Sequence, residues 1–389
     1  MKIVKTNDHH TIRCLLGLMM AVAGILFAAC TDDPPGGRQK ERVTLELRPY
    51  TSLFADSSAA LTRAFPGDYN GYVTYENLYT DYTPQQSLVD ATIHMFFTQQ
   101  DSDPEQGSFR KSGEKWISTV EMESGGYYLY GFIPENVVGG ATNIAPVTGG
   151  FEKGAKMTLK KLSSVVPADV CVTVAAGGGQ ENSGPSTGYN IGKFGIMGSD
   201  RFVYLLFDHL YSSLCFRFKV DTEYDKLRTI KIKKLRLKSS SMKKYYDATI
   251  TLTANTTGAN PLTNVTFSPW KEEDGTECTE TADGLLFEAK GTIPEVELNA
   301  IEFSNFLGCF VPGDYNRFDL ETTYDVYDKS GNRVRKDCVA ENSIYTNSYL
   351  LAGESWKRGS MLKLSLTVKP TYLYMLSEPD LDNPTVTLK

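Results

Sequence analysis

The chain has 389 residues, 41% hydrophobic and 22% charged: enough apolar material for one large domain or two to three ordinary ones, and too much for a disordered chain. A formal net charge of −7 argues against a dedicated nucleic-acid binder, which needs a net basic surface to neutralise phosphates. With only four histidines, His9, His10, His94 and His209, a multi-histidine metal site is excluded and a Ser–His triad disfavoured, so neither metal nor cofactor is expected.

At the N-terminus, Lys2, Lys5 and Arg13 precede an uncharged apolar run from Leu15 to Ala29. As a helix that run rises about 22 Å, short of the roughly 30 Å hydrocarbon core. A basic start, a short apolar core and small residues before a cut predict a signal peptide over residues 1–29. Leu26-Phe27-Ala28-Ala29-Cys30 resembles a bacterial lipobox, with Phe27 where the usual pattern has leucine, which makes Cys30 the expected lipidation site. Residues 30–42 read as an acidic, Pro/Gly-rich tether beginning Thr31-Asp32-Asp33 and continuing Pro34-Pro35-Gly36-Gly37. The expected location is the outer membrane and cell surface, the soluble body hanging from its lipid.

Beyond the tether, two-residue alternation dominates and helical periodicity is nearly absent. The 22 Tyr, 19 Phe and 33 Gly suit short strands separated by many turns. Asp169 to Ala175 is strand-like; a glycine-rich stretch from Gly177 through Gly198 follows, and Phe202 to Phe207 resumes strand character. This composition shift predicts a boundary near residue 200, with one sandwich over 43–199 and another over 200–389. Phe216, Phe218 and Val220 alternate, as do Ile250 and Leu252. In Ile230-Lys231-Ile232-Lys233-Lys234-Leu235 the alternation slips by one position at Lys233-Lys234, which predicts a β-bulge. Tyr324 and Val326 lead into Lys329-Ser330-Gly331-Asn332, a hairpin signal. Leu362, Leu364, Leu366 and Val368 point one way while Lys363, Ser365, Thr367 and Lys369 point the other. The fold class is all-β, with one solvated face per sheet and hence sandwiches. Pro-Gly-Asp-Tyr-Asn occurs twice, at Pro66–Asn70 and Pro312–Asn316, and reads as recurrent turn chemistry.

Signals for chemistry are sparse. No nucleophile elbow, metalloprotease, Walker or dinucleotide-binding pattern is present, so no enzyme activity is expected. Cys171, Cys215, Cys278, Cys309 and Cys338 are odd in number and form no CxxC; they read mostly as buried small hydrophobes, with one bridge possible and its pairing open. His94 lies on a strand face, and His209 has Asp208 beside it but no nameable nucleophile; both read as structural. Between Lys226 and Lys244, nine Lys/Arg and no acid form a basic stripe, either a contact for an anionic glycan or a charged face guarding an edge strand. Trp116, Trp270 and Trp356 are far apart and give no stacking platform.

Several segments, in order behind the lipobox, resemble the Bacteroidales fimbrillin family, the subunits of type V pili. They are Val89–Phe97; the aromatic Tyr127-Tyr128-Leu129-Tyr130-Gly131-Phe132-Ile133-Pro134; Phe207-Asp208-His209-Leu210 with the strand after it; and the ending from Pro370-Thr371-Tyr372-Leu373-Tyr374 to Asn383-Pro384. The resemblance implies two tandem transthyretin-like (Ig-like) β-sandwiches, export as a lipoprotein and a structural or adhesive role in a fimbrium, in a minor or tip position. It also implies an arginine-specific protease that removes an N-terminal strand and a neighbouring subunit whose strand fills the gap, which is β-augmentation. Val43-Thr44-Leu45-Glu46-Leu47 alternates as such a removable strand should, with Val43, Leu45 and Leu47 inward. Arg63, before Ala64, is the expected cleavage site, since Arg48 is followed by Pro49. The expected donor is the tail from Pro379 to Lys389, which spans about 36 Å when extended. Its candidate donor residues are Leu381, Val386 and Leu388, of which Val386 and Leu388 alternate with Thr385 and Thr387 to give an inward face. Expected partners are other pilus subunits, the protease, the membrane through the lipid, and a host glycan or protein receptor. The rival reading is a surface glycan-binding lipoprotein outside any pilus, with the basic stripe or a tryptophan as its contact.

Overall fold

The computed structural model describes residues 40–47, 73–74, 92–113, 115–123, 125–178, 193–195, 202–254, 262–351 and 354–368. Its first strands are β1 (Glu41–Leu47), β2 (Val73–Thr74), β3 (Thr92–Thr98), β4 (Glu105–Ser112), β5 (Lys115–Met122) and β6 (Gly126–Ile133). Next come β7 (Thr142–Pro146), β8 (Gly154–Ser163), β9 (Val165–Val166), β10 (Cys171–Gly178), β11 (Lys193–Gly195) and β12 (Phe202–His209). β13 (Ser212–Val220), β14 (Arg228–Lys243), β15 (Tyr245–Thr253), β16 (Leu262–Pro269) and β17 (Thr281–Glu288) follow. The last are β18 (Val296–Leu298), β19 (Ser304–Phe310), β20 (Arg317–Asp328), β21 (Arg333–Tyr345) and β22 (Met361–Val368). Among the described residues the one α-helical piece is a single turn, Thr222–Asp225, where the Asp221 carboxylate accepts from the amides of Glu223 and Tyr224. The chain is all-β, built of β-sheets packed face to face.

The first sheet runs β1-β5-β4-β3-β6-β10-β12-β2, with β11 on β6. A parallel contact between β1 and β12 closes the ring of pairings. The second sheet is β16-β15-β8-β7, the third β22-β13-β19-β9, and the fourth β17-β14-β20-β21 with β18 on β14. The third packs on the fourth: Phe287 and Phe306 meet at 5.3 Å between ring centres, and Phe310 and Phe318 at 4.8 Å. At that seam a Cβ on Gly308 would lie 3.1 Å from Leu286 and 3.3 Å from Leu237, so a side chain there would press those two leucines aside by a few tenths of an ångström. The cores of all four sheets form one continuous cluster.

On either side of the expected boundary near residue 200, β10 and β12 are antiparallel neighbours in one sheet, which the chain leaves at Leu210-Tyr211. Pairing also crosses that point elsewhere: β8 pairs with β15, and β9 with β19. One expectation changes, that of a solvated face on every sheet. Strands β1, β5, β14, β15 and β20 alternate as expected, but from Ile93 to Thr98 every residue of β3 is buried, and so is every residue from Val203 to Phe207 of β12. A further layer covers their outer face; Tyr130 on β6, for example, donates its hydroxyl to the Phe151 carbonyl at 2.6 Å.

The local turn and bulge signals are met. β14 pairs with β20 through Ile232↔Tyr324 and then Lys234↔Thr323, leaving Lys233 as the extra residue. The β20–β21 hairpin turns at residues 329–332, with Gly331 at φ 84° and the Asp328 carboxylate accepting from the Ser330 and Asn332 amides, both at 2.9 Å.

Candidate functional site

β1 meets its neighbours unequally. Along its whole length it is antiparallel to β5, from Glu41↔Met122 to Leu47↔Trp116. On the other side, among the described residues, it touches β12 only through Glu46↔Phe202 and Leu47↔Val203. Val43, Leu45 and Leu47 point into the core and are at most 3% exposed. The outward face is polar: Thr44 and Thr119 hydroxyls are 3.3 Å apart, and Lys115 reaches the Glu46 carboxylate at 2.9 Å. Among the described residues, β1 therefore has one complete hydrogen-bonding ladder, to β5, and begins a second, parallel one with β12 at Glu46-Leu47. Taking it away would bare the β5 edge over seven residues, uncover the short edge of β12 and expose three apolar sockets.

At the other end of the chain, β22 lies on the edge of the third sheet, parallel to β13 from Ser213↔Met361 to Val220↔Val368. Leu364 is buried, while Leu362, Leu366 and Val368 are only half-buried. Cys30, Arg63, Ala64, Leu381, Val386 and Leu388 lie outside the described residues, as does Pro66–Asn70.

The basic stripe does not guard an edge strand. β14 is not an edge strand, since β17 and β18 flank one side and β20 the other. At least eight of the stripe's nine cations have an acidic partner, most of them across a strand boundary. Lys231 meets Glu297 at 3.3 Å and Lys234 meets Glu288 at 3.1 Å. Arg236 clasps both oxygens of Asp283, and Lys238 holds the Glu321 carboxylate. The bulged Lys233 bonds Asp337 and lies 3.6 Å from Asp325, whose buried carboxylate also accepts from the Asp337 amide at 2.7 Å. A stripe that is basic in sequence is a neutral lattice of ion pairs in space, with little net field for an anion.

Sequence reasoning missed Asp169. Its carboxylate lies 2.7 Å from His209 Nδ1, both groups being fully buried, while the adjacent Asp208 turns to Arg358 at 2.7 Å. Burial pulls the His209 imidazolium pKa down, but the charge and hydrogen bond of Asp169 outweigh it and leave the pKa raised. Cys171 Sγ is 3.6 Å from the same ring nitrogen, and burial holds its thiol well above the ordinary range. These three side chains are the donors that could surround a metal ion. As a nucleophilic relay the arrangement fails, because sulfur and carboxylate converge on one nitrogen and leave no second nitrogen in line. His94 has a comparable structural partner, Glu135 at 3.1 Å, which also accepts from Ser108. All five described cysteines are free thiols; burial raises Cys215 to about 11. Trp116 and Trp356 are buried, and Trp270 sits under Lys161 at 4.1 Å.

No protein-family model and no curated protein matches the sequence. Among solved structures, the chain is similar to a candidate cell adhesion protein of Bacteroides uniformis at 13% identity, covering 85% of this chain and 95% of that one with a TM-score of 0.34. It is also similar to the fimbrial anchor protein Mfa2 of Porphyromonas gingivalis (9% identity, 84% and 90% covered, TM-score 0.25). A third is a fimbrial protein of Bacteroides ovatus (9% identity, 73% and 46% covered, TM-score 0.24).

Proposed function

We propose that this chain is a structural and adhesive subunit of a type V pilus, polymerised by exchange of β-strands at the slot that β1 occupies. The observation that carries this reading is the way β1 is docked: a full-length ladder to β5 and three apolar side chains, Val43, Leu45 and Leu47, that fill sockets in the core. Its departure would leave a bare β5 edge above those sockets, a template that another backbone with alternating apolar residues can satisfy. In this reading the precursor is exported as a lipoprotein through Cys30 to the outer membrane, an arginine-specific protease cuts between Arg63 and Ala64, and β1 departs. The donor is the tail of another copy, Leu381 to Leu388, whose Val386 and Leu388 have the two-residue spacing of the sockets that Val43, Leu45 and Leu47 occupy. Its place is a minor or tip position.

The purified chain should be treated with an arginine-specific protease and followed by N-terminal sequencing and size-exclusion chromatography. A new N-terminus at Ala64 together with growing oligomers is the expected result. Oligomers should be absent from a variant truncated after Glu378. A product cut at Ala64 that stays monomeric, or that unfolds, refutes strand exchange.

A further inference from the structure

From a cavity at one end of the third and fourth sheets, we infer that this protein carries a binding site for a neutral carbohydrate, independent of any strand exchange. The cavity measures about 570 Å³ and is walled by the turn Gly313–Asn316 and by residues of the end of β21 and the stretch that follows it, from Tyr345 to Leu351 and from Glu354 to Trp356. The first belongs to the Pro-Gly-Asp-Tyr-Asn motif singled out in the sequence, which otherwise has no role. Its volume falls within the roughly 300–1,000 Å³ of small-molecule sites.

Three properties give it the character of a built site. The first is aromatic. Tyr345 stands 52% exposed at the wall, while Trp356 and Tyr315 are buried and packed edge-on against Phe310 and Phe318 at 5.3–6.3 Å. The second is the polar lining: carboxylates from Asp314 and Glu354, amides from Asn316 and Asn347, and no lysine or arginine. The third is rigidity from backbone bonds between the loops. Gly313 and Trp356 exchange amide and carbonyl bonds, both at 3.1 Å, and the Thr346 amide donates to the Asn316 carbonyl at 3.1 Å. The Thr346 hydroxyl donates to the Tyr315 carbonyl and accepts from the Trp356 indole, and the Leu351 amide donates to Glu354 at 3.1 Å. The walls are held before any ligand arrives, which lowers the ordering cost of binding.

This chemistry selects its ligand. The half-exposed Tyr345 ring, with the Arg317 guanidinium 5.7 Å from its centre, offers its remaining surface to the C–H side of a sugar ring, and the carboxylates and amides accept from and donate to its hydroxyls. The carboxylates of Asp314 and Glu354 disfavour sialylated or sulfated glycans, since the neighbouring guanidinium, Arg317, is already paired with Asp319 at 2.6 Å. A cationic peptide would rely mainly on rim charges, where water and salt screen the attraction, and would leave the amides and the ring face unused.

The purified protein should be applied to an array of neutral, sialylated and sulfated oligosaccharides, and the strongest neutral hit titrated by calorimetry. Binding confined to neutral glycans is expected, weakened by at least about tenfold in Tyr345→Ala and in Asp314→Ala and retained in Tyr345→Phe. Both sites are exposed, so thermal melting of the variants should match the parent. Four results would overturn the inference: no neutral glycan bound, neutral binding untouched by both alanine variants, a preference for sialylated or sulfated chains, or tighter binding of an oligolysine peptide than of any neutral glycan. Because the assay uses the uncut protein, it is indifferent to whether subunits exchange strands.

Discussion

Leu45 is the sharpest probe of β1. It has no exposed surface and lies opposite Ser118 in the centre of the strand, one residue from the outward-facing Thr44. Leu45→Ala removes buried methyl groups and leaves a cavity, at a cost of about 2–5 kcal/mol. Thr44→Ala, which deletes only a hydroxyl contact on the solvated face, should cost under about 1 kcal/mol. Docking of the strand as a whole rests on Val43, Leu45 and Leu47, together about 5–9 kcal/mol by area burial. A strand so held opens on its own more often than the sheet interior does, and Leu45→Ala should increase that opening selectively. Urea unfolding would measure the two stabilities, and native-state hydrogen exchange would follow the amides of Glu41–Leu47 against those of β6. Local release predicts faster exchange in β1 than in β6, and a further acceleration in Leu45→Ala confined to β1 and the facing β5 edge. Equal protection of β1 and β6 would mean that β1 leaves only when everything unfolds. That result, or a Leu45→Ala cost no larger than that of Thr44→Ala, would refute the reasoning.

Two further predictions address the buried and surface charges. The folded His209 pKa lies above its unfolded value, so the contribution of the Asp169 pair is complete below about pH 6.5 and fades as pH rises through the folded pKa. Accordingly, the deficit of Asp169→Asn, about 3–5 kcal/mol at low pH, should shrink between acidic and alkaline conditions in urea titrations; a deficit growing with pH contradicts the assignment. The neutralised stripe should bind a heparin column weakly, and the double variant Glu288→Gln, Glu321→Gln, which uncovers Lys234 and Lys238, should elute at higher salt than the parent. Strong heparin retention by the parent would show that the stripe has a net field after all.

What could be read in the sequence is what neighbours in sequence decide. Alternation at Leu362–Val368 states that the segment is a strand, the slip at Lys233-Lys234 states where it bulges, and Gly331 in a polar run states where a hairpin turns, because pleat and turn geometry act over a few residues. Val43, Leu45 and Leu47 were identifiable as core-facing for the same reason. The tertiary structure alone decided which strands became neighbours. It brought Asp169 to His209 across 40 positions, set the acids of β17, β18, β20 and β21 against the cations of β14, and carried β8 and β9 into sheets shared with β15 and β19. It also gathered Asp314, Tyr345 and Trp356 around one cavity. Pairing energy depends on side chains meeting across a sheet, and their separation along the chain carries no trace of that meeting.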